Sequence, residues 1–358
     1  MLLTGLAFRP SDLSVSNDTL IDAVLEHSRL DQTGAERVAR TLQRLLDYSG
    51  ASHRYWTGST DHVGERIASA LDAALARAGL HRGDIDLVIS TSVDRSVLEP
   101  AHAYNLTALL GMYTCPCFDV TDGCNAWLRA MQLSQALLQS HTASRIAVIS
   151  SEFTMMPTGS FLPSVLQLDS LEALRTSFPP LTLGDGVAVT IVEAGGAGWD
   201  FAFASRSDLV DLCYAPLPES GRYRTPDARR TWRTDTPFVV DGAGLFREAA
   251  RAIPKLLAAS GVDPAEFDDV IVHGATSRQW QAGAREVGDI HTLRNAFPHY
   301  GNVVSASIPA ALASDVPFDG ANRQVLAIGA SAGMSFALAQ FEMHGEAVDP
   351  TLGSATAP

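Results

Sequence analysis

Apolar positions along this chain fall into two alternating patterns. Short unbroken runs mark buried strands, and residues spaced three or four apart mark one face of a helix. Residues 2–8 form the first run, and Asn17 or Asp18 is placed to cap a helix reaching about residue 28. Ile67, Leu71, Ala74 and Ala78 recur at helical spacing within 61–80, and Gly79 closes that stretch. A buried strand follows at 86–91, a helix at 100–111 and a strand at 115–120. A helix then opens at Cys124 and runs to about residue 140, before strands at 145–150 and 186–193.

The second half echoes this order. A helix over about 243–260 ends near Gly261 and leads through an acidic turn into the strand 269–273, as 61–80 leads into 86–91. Residues 325–329 take the place of 145–150. The self-similarity is weak, but it predicts an α/β protein of two related halves, residues 1–195 and 196–345, with a mobile tail at 346–358 rich in small and polar residues. The segment 154–182, with Pro157, Pro163, Pro179 and Pro180, interrupts the pattern. It reads either as a lid or contact surface or as a plain surface excursion.

Composition narrows the function. At 358 residues with 46% hydrophobic and 18% charged positions, the chain has material for a large interior. No apolar run has the length of a membrane span, and the N-terminus lacks the basic start of a signal peptide, so a cytoplasmic protein is expected. A net charge of −14 argues against a nucleic-acid partner. Arg222, Arg224, Arg229, Arg230 and Arg233 are a local exception, suited to a solvated loop, an acidic partner or a phosphate. The four cysteines, Cys115, Cys117, Cys124 and Cys213, are too few and too scattered for a disulfide framework. Cys115 and Cys117 lack the further ligands of a metal site, so no metal is expected.

Three residues carry candidate chemistry. Cys124 follows a strand and a small-residue turn, at the start of a helix, where exposed N–H groups favour a thiolate able to attack a carbonyl. His273 closes a buried strand, and ligands of open α/β sheets gather beyond such strand ends. Asn302 sits beside Gly301, where an ordinary turn is the simplest explanation. The G-x-S-x-G pattern at 329–333 suggests a hydrolase elbow, but only His344 and then Asp349 follow it, in the wrong order.

Taken together, the segments around Cys124, His273 and Asn302 resemble the ketoacyl synthase III branch of the thiolase-fold condensing enzymes. Residues 3–18, 84–92, 183–189 and 325–338 share the resemblance, which covers nearly the whole chain. It implies a thiolase-like fold, two related halves in an α-β-α-β-α layering. It also implies that Cys124 accepts an acyl group from a thioester, with His273 and Asn302 stabilising the enolate of a second substrate. The backbone N–H groups of Cys124 and Ala332 would form an oxyanion hole. Arg247 and Arg278 would meet the phosphopantetheine or an acyl carrier protein. The implied partners are acyl thioesters of coenzyme A or carrier protein, with no permanently bound cofactor, and a homodimer is expected.

The stretch 91–100 is similar to the branch that joins two fatty-acyl thioesters head to head in bacterial olefin biosynthesis, which also carries an insertion like 154–182. That similarity implies that Glu99 acts as a base at the partner subunit's site. The chain also departs from the starter enzymes of fatty-acid synthesis. Arg44 and Tyr48 stand where those carry Trp and Arg, Thr276 stands where they carry Asn, and Ser331-Ala332-Gly333 replaces a run of glycines. The departures favour a carrier-bound donor and a specialised role. Carbon–carbon bond formation is the expected reaction, and transfer of the acyl group from Cys124 to a hydroxyl, an amine or a second carrier is the alternative.

Overall fold

The computed structural model describes residues 1–157, 159, 161–217, 219–223, 238–287, 290–314 and 322–344. Two five-stranded sheets organise them. In the first, the order is Leu2–Pro10, Gly186–Glu193, Arg145–Glu152, Leu87–Ser90, Cys117–Asp119. The first two pairings are antiparallel and the last two parallel. In the second, the order is Asp200–Ser205, Ser335–Met343, Arg323–Ser331, Asp269–Val272, Leu293–Arg294, with the same succession of pairings.

The strands are buried on both faces, which explains their unbroken apolar runs. In Arg145–Glu152, Ile146 and Val148 point into the layer between the sheets, while Ala147 and Ile149 point to the outer side. In Asp269–Val272, Ile271 points inward while Val270 and Val272 point outward. Successive side chains of a strand must alternate in this way. The helices Ala126–Gln139 and Ser307–Ser314 fill the space between the sheets. Ser307–Ser314 is buried at every residue but its last, as a helix enclosed on all sides requires. Helix Val63–Ala78 covers the outside of the first sheet with Ile67, Ala70, Leu71, Ala74 and Leu75. Helix Gly242–Ser260 covers the outside of the second with Ile253, Leu256 and Leu257. The result is the α-β-α-β-α layering expected from the resemblance.

Several boundaries differ from the sequence reading. The first helix, Asn17–His27, is capped by Ser16, whose hydroxyl accepts from the Thr19 N–H, and not by Asn17 or Asp18. Helix Gln32–Ser49 was not anticipated. It starts at Asp31, whose side chain accepts from Gly34 N–H, and stops at Gly50, where φ is 82°. Its apolar face is only Val38, Leu42 and Leu46, a stripe too thin to stand out among polar neighbours. The insertion 154–182 is not a loose excursion: Met155, Phe161, Val165, Leu166, Leu168, Leu174 and Leu181 pack with Leu20, Val24, Leu42 and Leu46. Arg224, Arg229, Arg230, Arg233 and the tail 346–358 lie outside the described residues. Among the described residues no helix is long and apolar enough to cross a membrane.

The close approach of helix Val63–Ala78 to the first strand depends on Gly5. A Cβ there would lie 2.1 Å from the Ala74 carbonyl oxygen, and the strand register shifts between Leu3 and Gly5. Gly5→Ala is expected to cost about 2–3 kcal/mol by overpacking, read as a lower urea midpoint at unchanged slope. Gly83→Ala, where a Cβ meets nothing within 4 Å, should change stability by less than about 0.5 kcal/mol.

Candidate active site

Strand Cys117–Asp119 leads into a tight turn, Gly123–Asn125, and then into helix Ala126–Gln139. Cys124 therefore sits in the turn that precedes the helix rather than in its first residue. Gly123 has φ 52°, and a Cβ on it would lie 2.5 Å from Ser331 Oγ, so the turn can reach the second half only with glycine here. The contact is fastened by hydrogen bonds. Cys124 N–H donates to Ser331 Oγ at 2.8 Å, and the Ser331 hydroxyl donates to the Asp122 carbonyl at 2.9 Å. Asn125 Nδ2 donates to the Ser335 carbonyl and hydroxyl at 3.0 and 2.9 Å, and that hydroxyl donates to Asp122 Oδ1 at 2.9 Å.

His273 follows strand Asp269–Val272, and its N–H donates to Ile328 O at 3.1 Å on the neighbouring strand Arg323–Ser331. Ser331, which meets Cys124, lies at that same end. The His273 carbonyl accepts from Trp280 Nε1 at 2.8 Å, while Nδ1 is buried and has no hydrogen-bond partner among the described residues. The turn after it is pressed against the Asn302 region: a Cβ on Gly274 would lie 3.4 Å from both Phe297 N and Ser307 Oγ.

Asn302 is held through its backbone. Its N–H donates to Thr182 O at 2.8 Å, and its carbonyl accepts from Gly184 N–H at 3.1 Å. Its Oδ1 accepts from Val304 N–H at 3.0 Å. That leaves the Nδ2 amine as the end able to donate to a substrate oxygen. Val304, with φ 46°, holds a backbone conformation that costs a β-branched residue energy. The turn Val304–Ala306 packs on Gly123–Asn125. The segments bearing Cys124, His273 and Asn302 thus converge where the two sheets meet.

Burial sets the electrostatics. It pushes the Cys124 thiol well above its usual range, with Cys213 and Glu152 adding to the effect, while the Ser331 hydroxyl and a backbone N–H oppose it. Desolvation outweighs the preference for a thiolate expected of a turn at a helix start. Burial also lowers His273 from 6.5 to about 4. Both shifts favour the uncharged form of their group, the thiol and the imidazole.

Other expected residues stand apart. Glu99 is exposed on the loop before helix His102–Leu109, and Arg95 turns to Asp119 at 3.8 Å and to Thr121 rather than to Glu99. Arg247 and Arg278 are both exposed, on the adjacent helices Gly242–Ser260 and Arg278–Val287. Ala332 lies in the turn joining Arg323–Ser331 to Ser335–Met343. The expected oxyanion role of the Cys124 amide is not met in this conformation, because Ser331 Oγ already occupies it. The replacement of glycine by serine at 331 is the physical reason.

The sequence reading missed Glu152. It closes strand Arg145–Glu152, is 0% exposed, and receives hydrogen bonds from Val93, Asp94 and Ser305. Burial pushes its carboxyl up to about 8 against those hydrogen bonds. A glutamate closing a strand whose centre is the apolar run 146–149 was the available signal.

Known proteins share the family signature and the fold. Residues 257–343 match the family described as 3-oxoacyl-[acyl-carrier-protein (ACP)] synthase III C terminal. The mycobacterial beta-ketoacyl-[acyl-carrier-protein] synthase III of Mycobacterium ulcerans is 26% identical over 348 residues, covering 94% of this chain and 93% of its own. A variant of Xanthomonas campestris OleA, solved with lauric acid and lauroyl-CoA bound, superposes with a TM-score of 0.77 at 20% identity, covering 95% of this chain and 98% of its own. The 3-oxoacyl-[acyl-carrier-protein] synthase III of Aquifex aeolicus gives 0.72 at 18% identity, with 96% and 99% covered. These structural likenesses establish a thiolase-like fold. The C-terminal family match and the whole-length relatives show that this chain is similar to the ketoacyl synthase III proteins.

Two measurements probe the site. Ser331→Ala removes a group that favours the Cys124 thiolate. Alkylation of Cys124 by iodoacetamide should then slow about fivefold at pH 8, the worth of one hydrogen bond, with its pH profile displaced upward. His273 has a folded pKa below its unfolded value. Its contribution is therefore present above pH 6.5 and lost as pH falls toward 4, on the order of 3 kcal/mol. Denaturant titrations across that window should show a flatter pH dependence for His273→Gln than for the wild type.

Proposed function

We propose that this chain is an acyl-thioester condensing enzyme with a Cys124-bound intermediate. The observation that supports it best is the convergence of Cys124, His273 and Asn302 from both halves onto one site. Neutral His273 takes the thiol proton as Cys124 attacks the thioester carbonyl. The tetrahedral intermediate expels the donor's thiolate, which recovers the proton. A second acyl thioester then loses an α-proton to a base, and its carbanion attacks the acyl–Cys124 carbonyl. The new carbon–carbon bond forms as the Cys124 C–S bond breaks. His273 and the Asn302 Nδ2 hold the enolate oxygen meanwhile.

Glu99 is proposed as that base. Its loop precedes the helix that lies against the edge strand Cys117–Asp119. Pairing of that edge with a second copy would form a homodimer and carry Glu99 toward the neighbouring site. Exposed Arg247 and Arg278 on adjacent helices suit an acidic acyl carrier protein or the phosphate of its pantetheine arm. The relatives named for acyl-carrier-protein substrates, and OleA with lauroyl-CoA, support thioester donors of either kind. The four free cysteines suit a reducing, cytoplasmic setting. The departures at Arg44, Tyr48 and Ser331 support a role in specialised metabolism.

Intact mass after incubation with acyl thioesters is expected to show one acyl adduct, absent in Cys124→Ala. Addition of a second acyl thioester, without malonyl donor, should give a β-keto product. Glu99→Gln should keep the adduct and lose about 100-fold of product formation, the scale of a general base. A β-keto product from malonyl thioester alone would remove Glu99 from the reaction. An adduct discharged only to an alcohol, an amine or a second carrier would make the protein an acyltransferase.

A further inference from the structure

The first sheet ends, beside the Cys124 turn, in a carboxylate that solvent does not reach. Glu152 Oε1 accepts from Val93 N–H at 3.1 Å, from Ser305 N–H at 3.3 Å and from the Ser305 hydroxyl. Its Oε2 accepts from Val93 N–H at 3.2 Å and Asp94 N–H at 3.3 Å. The donors come from two segments that are not neighbours in sequence. Residues 93 and 94 begin the loop that leads to Glu99. Ser305 belongs to the turn Val304–Ala306, whose first amide holds the Asn302 Oδ1 and which packs on the turn of Cys124.

Hydroxyls extend the joint: Thr91 Oγ1 meets Ser150 Oγ at 2.7 Å, and Ser92 Oγ meets Ser151 Oγ at 2.7 Å. Each Glu152 donor is a buried group that would be costly to leave unpaired. The site accepts only a group with two acceptor oxygens. A glutamine has the same shape but turns an NH₂ toward at least one of those donors. Among the described residues, the Asp94 carboxylate and the Cys124 thiol are the titratable groups coupled to Glu152, and His102 reaches only the neighbouring Ser151 hydroxyl, at 3.5 Å. Neither coupled group is a cation that could neutralise Glu152, so the amides and the hydroxyl are what hold it.

We infer that Glu152 is a positioning residue for carbon–carbon bond formation, fixing the Asn302 turn and the root of the Glu99 loop against Cys124 without touching substrate. The inference rests on the proposed condensation for its kinetic consequence, but the anchoring itself does not. Acylation needs only Cys124 and its proton acceptor. Condensation needs in addition the Asn302 amine and the base at their correct places. Removal of the anchor therefore separates the two half-reactions.

The test uses Glu152→Gln in the full chain. Hydrogen exchange at the amides of residues 93, 94 and 305 is expected to accelerate about tenfold or more. Cys124 acylation should stay within about threefold of wild type, while β-keto product formation falls about 30-fold. Wild-type exchange at those three amides overturns the inference. So does a variant in which acylation and condensation fall by the same factor while exchange rises throughout the chain, the mark of plain destabilisation. If wild type takes no acyl group, the proposed function fails, and the exchange measurement still decides the anchoring. Should Glu152→Gln not fold, Ser305→Ala removes a single donor and should slow condensation about fivefold relative to acylation; no separation between the half-reactions there also overturns it.

Discussion

The attachment of the Gly123–Asn125 turn to the 331–335 turn is the constraint on which the rest of the site depends. Neither half holds a complete site. The first half supplies the thiol, and the second supplies the imidazole, the carboxamide and the Ser331 and Ser335 hydroxyls that hold the thiol's turn in place. Glycines stand at both faces of this contact. A Cβ on Gly329 would lie 2.0 Å from Asn125 Oδ1, and one on Gly123 would strike Ser331. The two sheets are free to pack through their central helices only to the degree that this contact still closes. The strong apolar packing between the layers supplies the stability, and the polar contact sets the register.

That division explains what could be read from the chain beforehand. Strands buried on both faces, such as Arg145–Glu152 and Asp269–Val272, appear as apolar runs; the end of the second locates His273, and the end of Cys117–Asp119 leads to Cys124. The layered fold follows, because each apolar run needs cover on both sides. Helix Gln32–Ser49 escaped because its buried face is three residues wide and the rest of it is solvated. Glu152 escaped for a different reason. Its partners are backbone amides at 93, 94 and 305, and an amide leaves no mark in a sequence. The occupied Cys124 amide was hidden similarly, since Ser331 was visible as a departure from glycine but its hydroxyl's target was not.

Burial has opposite consequences for the two reacting groups. It raises the thiol's pKa and lowers the imidazole's, so it disfavours an ion pair between them. A buried ion pair in so apolar a pocket would carry a large desolvation penalty. Cys124 packs against the apolar cluster that includes Met155 and Phe161, and Phe238, packed on the same cluster, stacks on Phe161 at 5.3 Å. Ser331 and a backbone N–H are the groups that oppose the rise in the thiol's pKa. They favour the thiolate once a substrate carbonyl is present to receive it.

The two glutamates near this site illustrate why exposure matters more than proximity for a base. Glu152 is close to Cys124, and burial raises its carboxyl to about 8, a value that by itself suits proton abstraction. Its oxygens are nevertheless committed to three amides and a hydroxyl, and no part of it is reached by solvent. To take a substrate proton it would have to release those donors inside an apolar layer, at a cost that exceeds any gain from its pKa. Glu99 has the opposite character. It is exposed on the loop before helix His102–Leu109, away from the buried joint that Glu152 holds. In one chain it lies outside the Cys124 site, so a catalytic role for it requires a second chain to bring it in. A fixed carboxylate that shapes a site and a movable one that could do chemistry are different physical tasks, and the burial of Glu152 suits it to the first.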